Sequence, residues 1–130
     1  MKTWFVGTVL LLCAAGVYAS AFMARKAGRA ARGALSEPSV VETPRARLFG
    51  GVSNAAIGLV YYLALAAALP FLDRPLVWGA AFAAALAAAA MSVYLAYSLL
   101  FVTRRPCAFC WTSHAINWAL VVLLIGLRPH

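Results

Sequence analysis

The sequence predicts an all-α membrane protein built as a bundle of four transmembrane helices. The chain has 130 residues, of which 65% are hydrophobic and only 11% are charged. A soluble domain carries roughly 25% charged residues, so the charged residues here are too few to cover a soluble surface. The apolar residues also form four runs long enough to cross a bilayer, separated by short polar segments. We therefore expect one membrane domain over residues 1–130.

The first predicted span covers residues 4–23, and a polar loop covers residues 24–48. A cleaved signal peptide is the alternative for the first run, because Lys2 precedes it and Val17-Tyr18-Ala19 resembles a cleavage site. The apolar run continues through Met23, which favours an uncleaved helix. The loop is basic and contains glycines and prolines, which predict an amphipathic start and then irregular structure. Cys13, within the first span, is expected to be a small buried residue.

Three further spans are predicted over residues 50–69, 76–102 and 107–127. Ser53 or Asn54 is expected to cap the second helix. The third is rich in alanine, which suits close helix packing in lipid. Pro106 suits the start of the fourth. Short links predict an up-down-up-down bundle, so the starts of the second and fourth spans share one side, and Asn54 lies at a depth similar to that of Cys107.

The stretch Cys107-Ala-Phe-Cys110-Trp-Thr-Ser-His114-Ala-Ile-Asn117 carries most of the chemistry-bearing residues. Cys110, His114 and Asn117 are spaced so that they share one helix face. A Cys-x-x-Cys pair that opens a helix suits dithiol redox chemistry, since the helix N-terminus stabilises a thiolate. Arg104 and Arg105 add positive potential nearby.

Metal binding and plain packing stay open as alternatives to redox chemistry for this stretch. Cys107, Cys110 and His114 would supply three of the four ligands that zinc prefers. His114 is polar within a span, where such residues are usually functional, whereas Asn117 is expected to be structural. Tyr61 and Tyr62 are expected to belong to the packing or to the interfacial belt.

A membrane dithiol needs an electron acceptor, and a lipid-soluble quinone diffuses in the same bilayer. Asn54 and His114 are the hydrogen-bond donors expected at the right depth to hold a quinone ring between apolar walls. The net charge of +8 lies in short segments between apolar runs, which suits lipid headgroups rather than nucleic acid.

The stretch from Cys107 to Asn117 resembles the active-site helix of the vitamin K epoxide reductase family. The stretch Ser53-Asn54-Ala-Ala-Ile-Gly58-Leu-Val-Tyr61-Tyr62 resembles the second helix of that family, and both fall in the expected order. The resemblance implies a four-helix bundle around a quinone of the ubiquinone or menaquinone type. It also implies that Cys110 faces the quinone, that Cys107 exchanges with a partner, and that Asn54 and His114 contact the ring.

The chain departs from the family pattern in its first loop, which lacks the two cysteines that usually shuttle electrons. A separate thioredoxin-like protein is therefore expected to act on Cys107 directly; the alternative is a degenerate, non-catalytic binding or assembly protein. The orientation also stays open. Six Lys/Arg residues in the first loop, together with Arg104 and Arg105, favour a cytoplasmic Cys-x-x-Cys, whereas bacterial relatives place it outside.

Overall fold

The computed structural model describes residues 2–31, 33, 54–103 and 107–129, and four long helices dominate these residues. In chain order they are α1 Lys2–Ala31, α2 Asn54–Ala68, α3 Pro75–Tyr97 and α4 Ala108–Gly126. A 3₁₀ helix over Leu69–Phe71 follows α2, and a π-helical segment over Ser98–Thr103 follows α3. Four apolar segments are long enough to cross a membrane, and two of them, Asn54–Phe71 and Pro75–Val102, extend from a long helix into the short helix that follows it. The predicted all-α, four-span fold is therefore confirmed.

The first helix is longer than predicted. It continues past Met23 to Ala31, so the start of the predicted polar loop is helical. Alanine, lysine and arginine are strong helix formers, and the single Gly28 within this stretch costs only about 1 kcal/mol. Gly33 then adopts a φ of 68°, a left-handed conformation that glycine tolerates. Residues 34–53 and 104–106, including the expected cap Ser53 and Pro106, lie outside the described residues.

The four helices are arranged as a ring that is open between α2 and α3. α1 packs against both α2 and α4, and α3 packs mainly against α4, whereas α2 and α3 contact each other little. The core combines residues of all four helices, namely Val9, Cys13, Tyr62, Leu65, Ala81, Ala85, Leu120 and Leu124. Cys13 is 1% exposed, as its prediction as a buried small residue requires. α1 is thus an integral part of the bundle.

Small residues bring the helices close together, as the alanine-rich third span predicts. The buried residues of α3 are Ala81, Ala85, Ser92 and Ala96. Gly16 of α1 has the same role against α2, because a Cβ built there would lie 2.8 Å from three ring carbons of Tyr62. Close backbone approach of this kind is how helices gain packing energy in lipid.

One polar network joins three helices inside the bundle. The Tyr62 hydroxyl of α2 donates to Asn117 Oδ1 of α4 at 2.6 Å, and Asn117 Nδ2 donates to Ser92 Oγ of α3 at 2.7 Å. The same hydroxyl lies 3.3 Å from the Ser113 carbonyl oxygen. These bonds confirm the expectation that Asn117 is structural. They also fix the register of α2 against α4.

We expect Asn117→Leu to destabilise the bundle by about 1 kcal/mol, the usual value for an interhelical hydrogen bond in a membrane. Unfolding by titration with SDS in mixed micelles measures the change. Tyr62→Phe and the double variant complete a double-mutant cycle. The losses of unfolding free energy in the two single variants should sum to more than the loss in the double variant, because both single variants remove the same Tyr62–Asn117 bond. Additive losses would show that the Tyr62–Asn117 bond contributes nothing.

Candidate active site

The two cysteines lie at the N-terminal end of α4. Cys107 is the N-cap residue, with extended backbone angles, and its Sγ accepts a hydrogen bond from the Cys110 backbone N–H at 3.2 Å. Cys107 and Cys110 are joined by a disulfide, with their Cα atoms 5.2 Å apart. Free backbone N–H groups at a helix start stabilise a nearby thiolate. The arrangement therefore suits a pair that cycles between disulfide and dithiol.

A small apolar cluster encloses this pair. Cys107, Phe109 and Cys110 pack with Ala55 of α2 against the buried side chains of Met23 and Leu99. Phe109 also stacks on Phe22 of α1, with ring centroids 4.3 Å apart. The outer ends of α1, α2 and the π-helical segment thus surround the start of α4. Both cysteines are partly buried.

Asn54 is the first residue of α2 and is partly buried. Its neighbour Ala55 belongs to the cluster around the cysteines, so the start of α2 lies beside the disulfide. The expected common depth of Asn54 and Cys107 agrees with this arrangement. A side-chain amide at this position supplies both donors and an acceptor.

His114 lies one turn deeper than Cys110 on the same stripe of α4. Its side chain is 6% exposed, and its ring lies between two indoles, with centroids 5.9 Å from Trp111 and 6.2 Å from Trp118. Its Nδ1 atom is buried and has no hydrogen-bond partner among the described residues. A buried polar atom without a partner costs free energy, so this position suits a ligand with a polar atom.

Tyr61 is a polar residue of this region that the sequence pattern assigns to packing or to the interfacial belt. The Tyr61 side chain packs against the core, and its hydroxyl is buried without a partner in the described part of the chain. Tyr62 is 1% exposed and hydrogen-bonded, so it lies in the packing rather than in an interfacial belt. The signal that could have found both is the presence of hydroxyls inside an apolar span.

Basic side chains lie at the same end of the bundle. Arg25 and Arg29 are exposed and Lys26 is partly buried on the last two turns of α1, just beyond Met23 of the cysteine cluster. Anionic lipid headgroups are attracted to such a segment. Among residues 2–31, 54–103 and 107–129, no group of three His, Cys, Asp or Glu side chains is placed to hold a metal ion.

Comparison with known proteins gives the family. The model of the vitamin K epoxide reductase family matches residues 7–125, which is most of the chain and includes all four helices. The chain belongs to the vitamin K epoxide reductase family. No curated protein matches it. Members of this family are membrane redox enzymes that use a quinone as electron partner, so the protein is an integral, multi-pass membrane protein of a redox family with a close cysteine pair.

Proposed function

We propose that this vitamin K epoxide reductase family protein is a membrane thiol–quinone oxidoreductase of the disulfide-forming type. It passes electrons from protein dithiols through Cys107 and Cys110 to a quinone of the ubiquinone or menaquinone type. One observation carries the proposal. A cysteine pair opens α4, and one turn deeper on the same stripe His114 holds a buried nitrogen without a partner among the described residues.

The cycle begins with the disulfide in the state that the structure holds. A thiolate of the partner attacks Cys107 Sγ, a mixed disulfide forms, and Cys110 leaves as a thiolate. The second thiol of the partner resolves the mixed disulfide, so the partner is oxidised and Cys107 and Cys110 are reduced. The Cys110 backbone N–H, which bonds Cys107 Sγ at 3.2 Å, favours departure of the Cys107 thiolate.

The bound quinone supplies the acceptor for the two electrons and two protons released when the cysteines form their disulfide again. Cys110 is the deeper thiol, so it lies nearer to His114 and transfers the electrons. Asn54 and His114 orient the ring by hydrogen bonds to its oxygens. The fit of such a ring is supported by His114 Nδ1, which has no partner among the described residues and belongs to a ring that lies between two indoles within an apolar bundle.

The partner is a separate thioredoxin-like protein that acts on Cys107 directly. The first loop has no cysteine, and Cys13 lies in the core, about ten residues or 15 Å along α1 from Met23 of the cysteine cluster. Cys107 is the outermost thiol of the bundle, at the N-cap of α4. It is therefore the sulfur that a partner can approach.

The experiment is quinone reduction by the purified protein in nanodiscs, with a reduced thioredoxin-like protein as electron donor. We expect turnover with a ubiquinone or a menaquinone. The change in absorbance of the quinone measures it. Absence of turnover with both quinones and several donors, in protein that circular dichroism shows to be helical, would favour the degenerate binding protein instead.

We expect His114→Leu to raise the KM for quinone about 2–10-fold, which corresponds to one lost hydrogen bond, and Asn54→Leu to act in the same direction. Steady-state kinetics over a range of quinone concentrations measures both. Thr112→Val is the matched control, because the Thr112 hydroxyl is exposed and bonds the Ala108 carbonyl of its own helix. An unchanged KM in His114→Leu would remove His114 from the site.

A further inference from the structure

Two buried side-chain atoms in the described part of the chain have no hydrogen-bond partner. They are His114 Nδ1 and the Tyr61 hydroxyl oxygen. Water is scarce inside a membrane bundle, so an unsatisfied polar atom there costs more than it would in a soluble protein. The proposed function uses His114 and leaves Tyr61 without a role.

Tyr61 and His114 lie in the same layer of the bundle. The residue after Tyr61 places its hydroxyl 3.3 Å from the carbonyl oxygen of Ser113, which is the residue before His114. The hydrogen bond from Tyr62 to Asn117 holds the same register. Tyr61 of α2 and His114 of α4 therefore lie at a similar depth in the bundle.

Tyr61 also shares a stripe of α2 with Asn54. The two residues are two helical turns apart, so they lie on one face and about 10 Å apart along the axis. Asn54 lies at a depth similar to that of the cysteine pair, because the next residue, Ala55, packs in the same cluster as both cysteines. One stripe of α2 thus carries a polar group at the level of the sulfurs and another at the level of His114.

The rise along the α2 axis between Asn54 and Tyr61 is similar to the length of a para-quinone with a hydrogen bond at each end. The two oxygens of such a ring lie about 5 Å apart, given C=O bonds of about 1.23 Å. Two hydrogen bonds of about 2.8 Å extend that span to about 10–11 Å between donors. A ring held by Asn54 alone would leave its inner oxygen without a donor from α2.

We propose that Tyr61 is a specificity-determining residue that donates its O–H to the inner carbonyl oxygen of a para-quinone, with Asn54 at the outer oxygen. This inference rests on the proposed function and adds one residue, Tyr61, to the same site. A carbonyl oxygen has two lone pairs, so the inner oxygen accepts from Tyr61 and from His114 together. A ligand without a carbonyl oxygen at its inner end lacks the interaction with Tyr61.

The test is quinone binding to the disulfide form without a dithiol donor, so that no turnover occurs. Quenching of tryptophan fluorescence reports binding, because Trp111 and Trp118 flank His114. We expect Tyr61→Phe to weaken binding of a naphthoquinone with two para carbonyls about 2–10-fold. A matched naphthalene analogue without carbonyl groups should bind equally to the wild type and to Tyr61→Phe.

Tyr97→Phe is the control, because it deletes the same hydroxyl from a side chain that is 59% exposed. SDS titration of the ligand-free variants separates binding from folding, and Tyr61→Phe should be no less stable than wild type, since its hydroxyl has no partner among the described residues. Equal quinone affinity of Tyr61→Phe and wild type would overturn this inference alone. Failure of the wild type to bind any quinone would overturn the proposed function with it.

Discussion

Cys110→Ala should abolish quinone reduction, with turnover falling to the rate without protein. In the proposed cycle Cys110 forms the disulfide with Cys107 again and transfers the electrons, so without it the two electrons have no route to the quinone ring. Cys107→Ala should be equally inactive, because the partner then has no disulfide to attack. Absorbance of the quinone, with a thioredoxin-like dithiol as donor, measures both variants against the wild type.

Cys13→Ala is the matched control for these substitutions. Cys13 is 1% exposed and packs in the core among Val9, Tyr62 and Leu65, so its removal should leave turnover unchanged. Turnover that survives in Cys110→Ala would show that another thiol performs the transfer, and the assignment of the pair would be wrong.

The same variants separate the roles of the two sulfurs. In Cys110→Ala no second thiol is present to displace a partner from Cys107. When the partner cysteine carries an aromatic thiol as a mixed disulfide, the Cys107 thiolate should attack the partner sulfur, the aromatic thiolate should leave, and a stable adduct should remain. Non-reducing gel electrophoresis and mass spectrometry detect the adduct. Cys107→Ala should form it more slowly, because Cys110 lies within the first turn of α4 and not at its outer end.

The fold was predictable because its signals are local. Length and hydropathy of each run determine whether it spans a bilayer, and the four spans are found close to the expected positions. The extension of α1 to Ala31 was missed because the glycines and prolines after Met23 predict irregular structure. Gly28 is the only one of them within the extension, and the helix propensity of the residues around it outweighs that single penalty.

The centre of the candidate site was predictable for the same reason, whereas its inner layer was not. Cys107 and Cys110 form a short motif whose chemistry needs only a helix start. The Tyr62 hydroxyl is hydrogen-bonded, whereas the Tyr61 hydroxyl has no partner among the described residues. This difference depends on the register of α2 against α4, which the bond from Tyr62 to Asn117 fixes. No periodicity within α2 distinguishes a hydroxyl that finds a partner on another helix from one that does not.

That register depends on the contact between α1 and α2, and Gly16→Ala tests it. The added Cβ would lie 2.8 Å from ring carbons of Tyr62, a side chain that is 1% exposed and packed in the core. Overpacking of this kind costs about 1–3 kcal/mol. The ring would shift, the bond to Asn117 would lengthen, and both stability in SDS titration and quinone affinity should fall.

Gly7→Ala is the counterpart on the same helix, since a Cβ there would meet nothing within 4 Å. Alanine is the better helix former, so this variant should gain up to about 1 kcal/mol of stability. The two substitutions are chemically identical and should have opposite signs. Equal effects would mean that Tyr62 does not rest on Gly16 and that the inner layer, with Tyr61 and His114, is held in place by the α2–α4 contact alone.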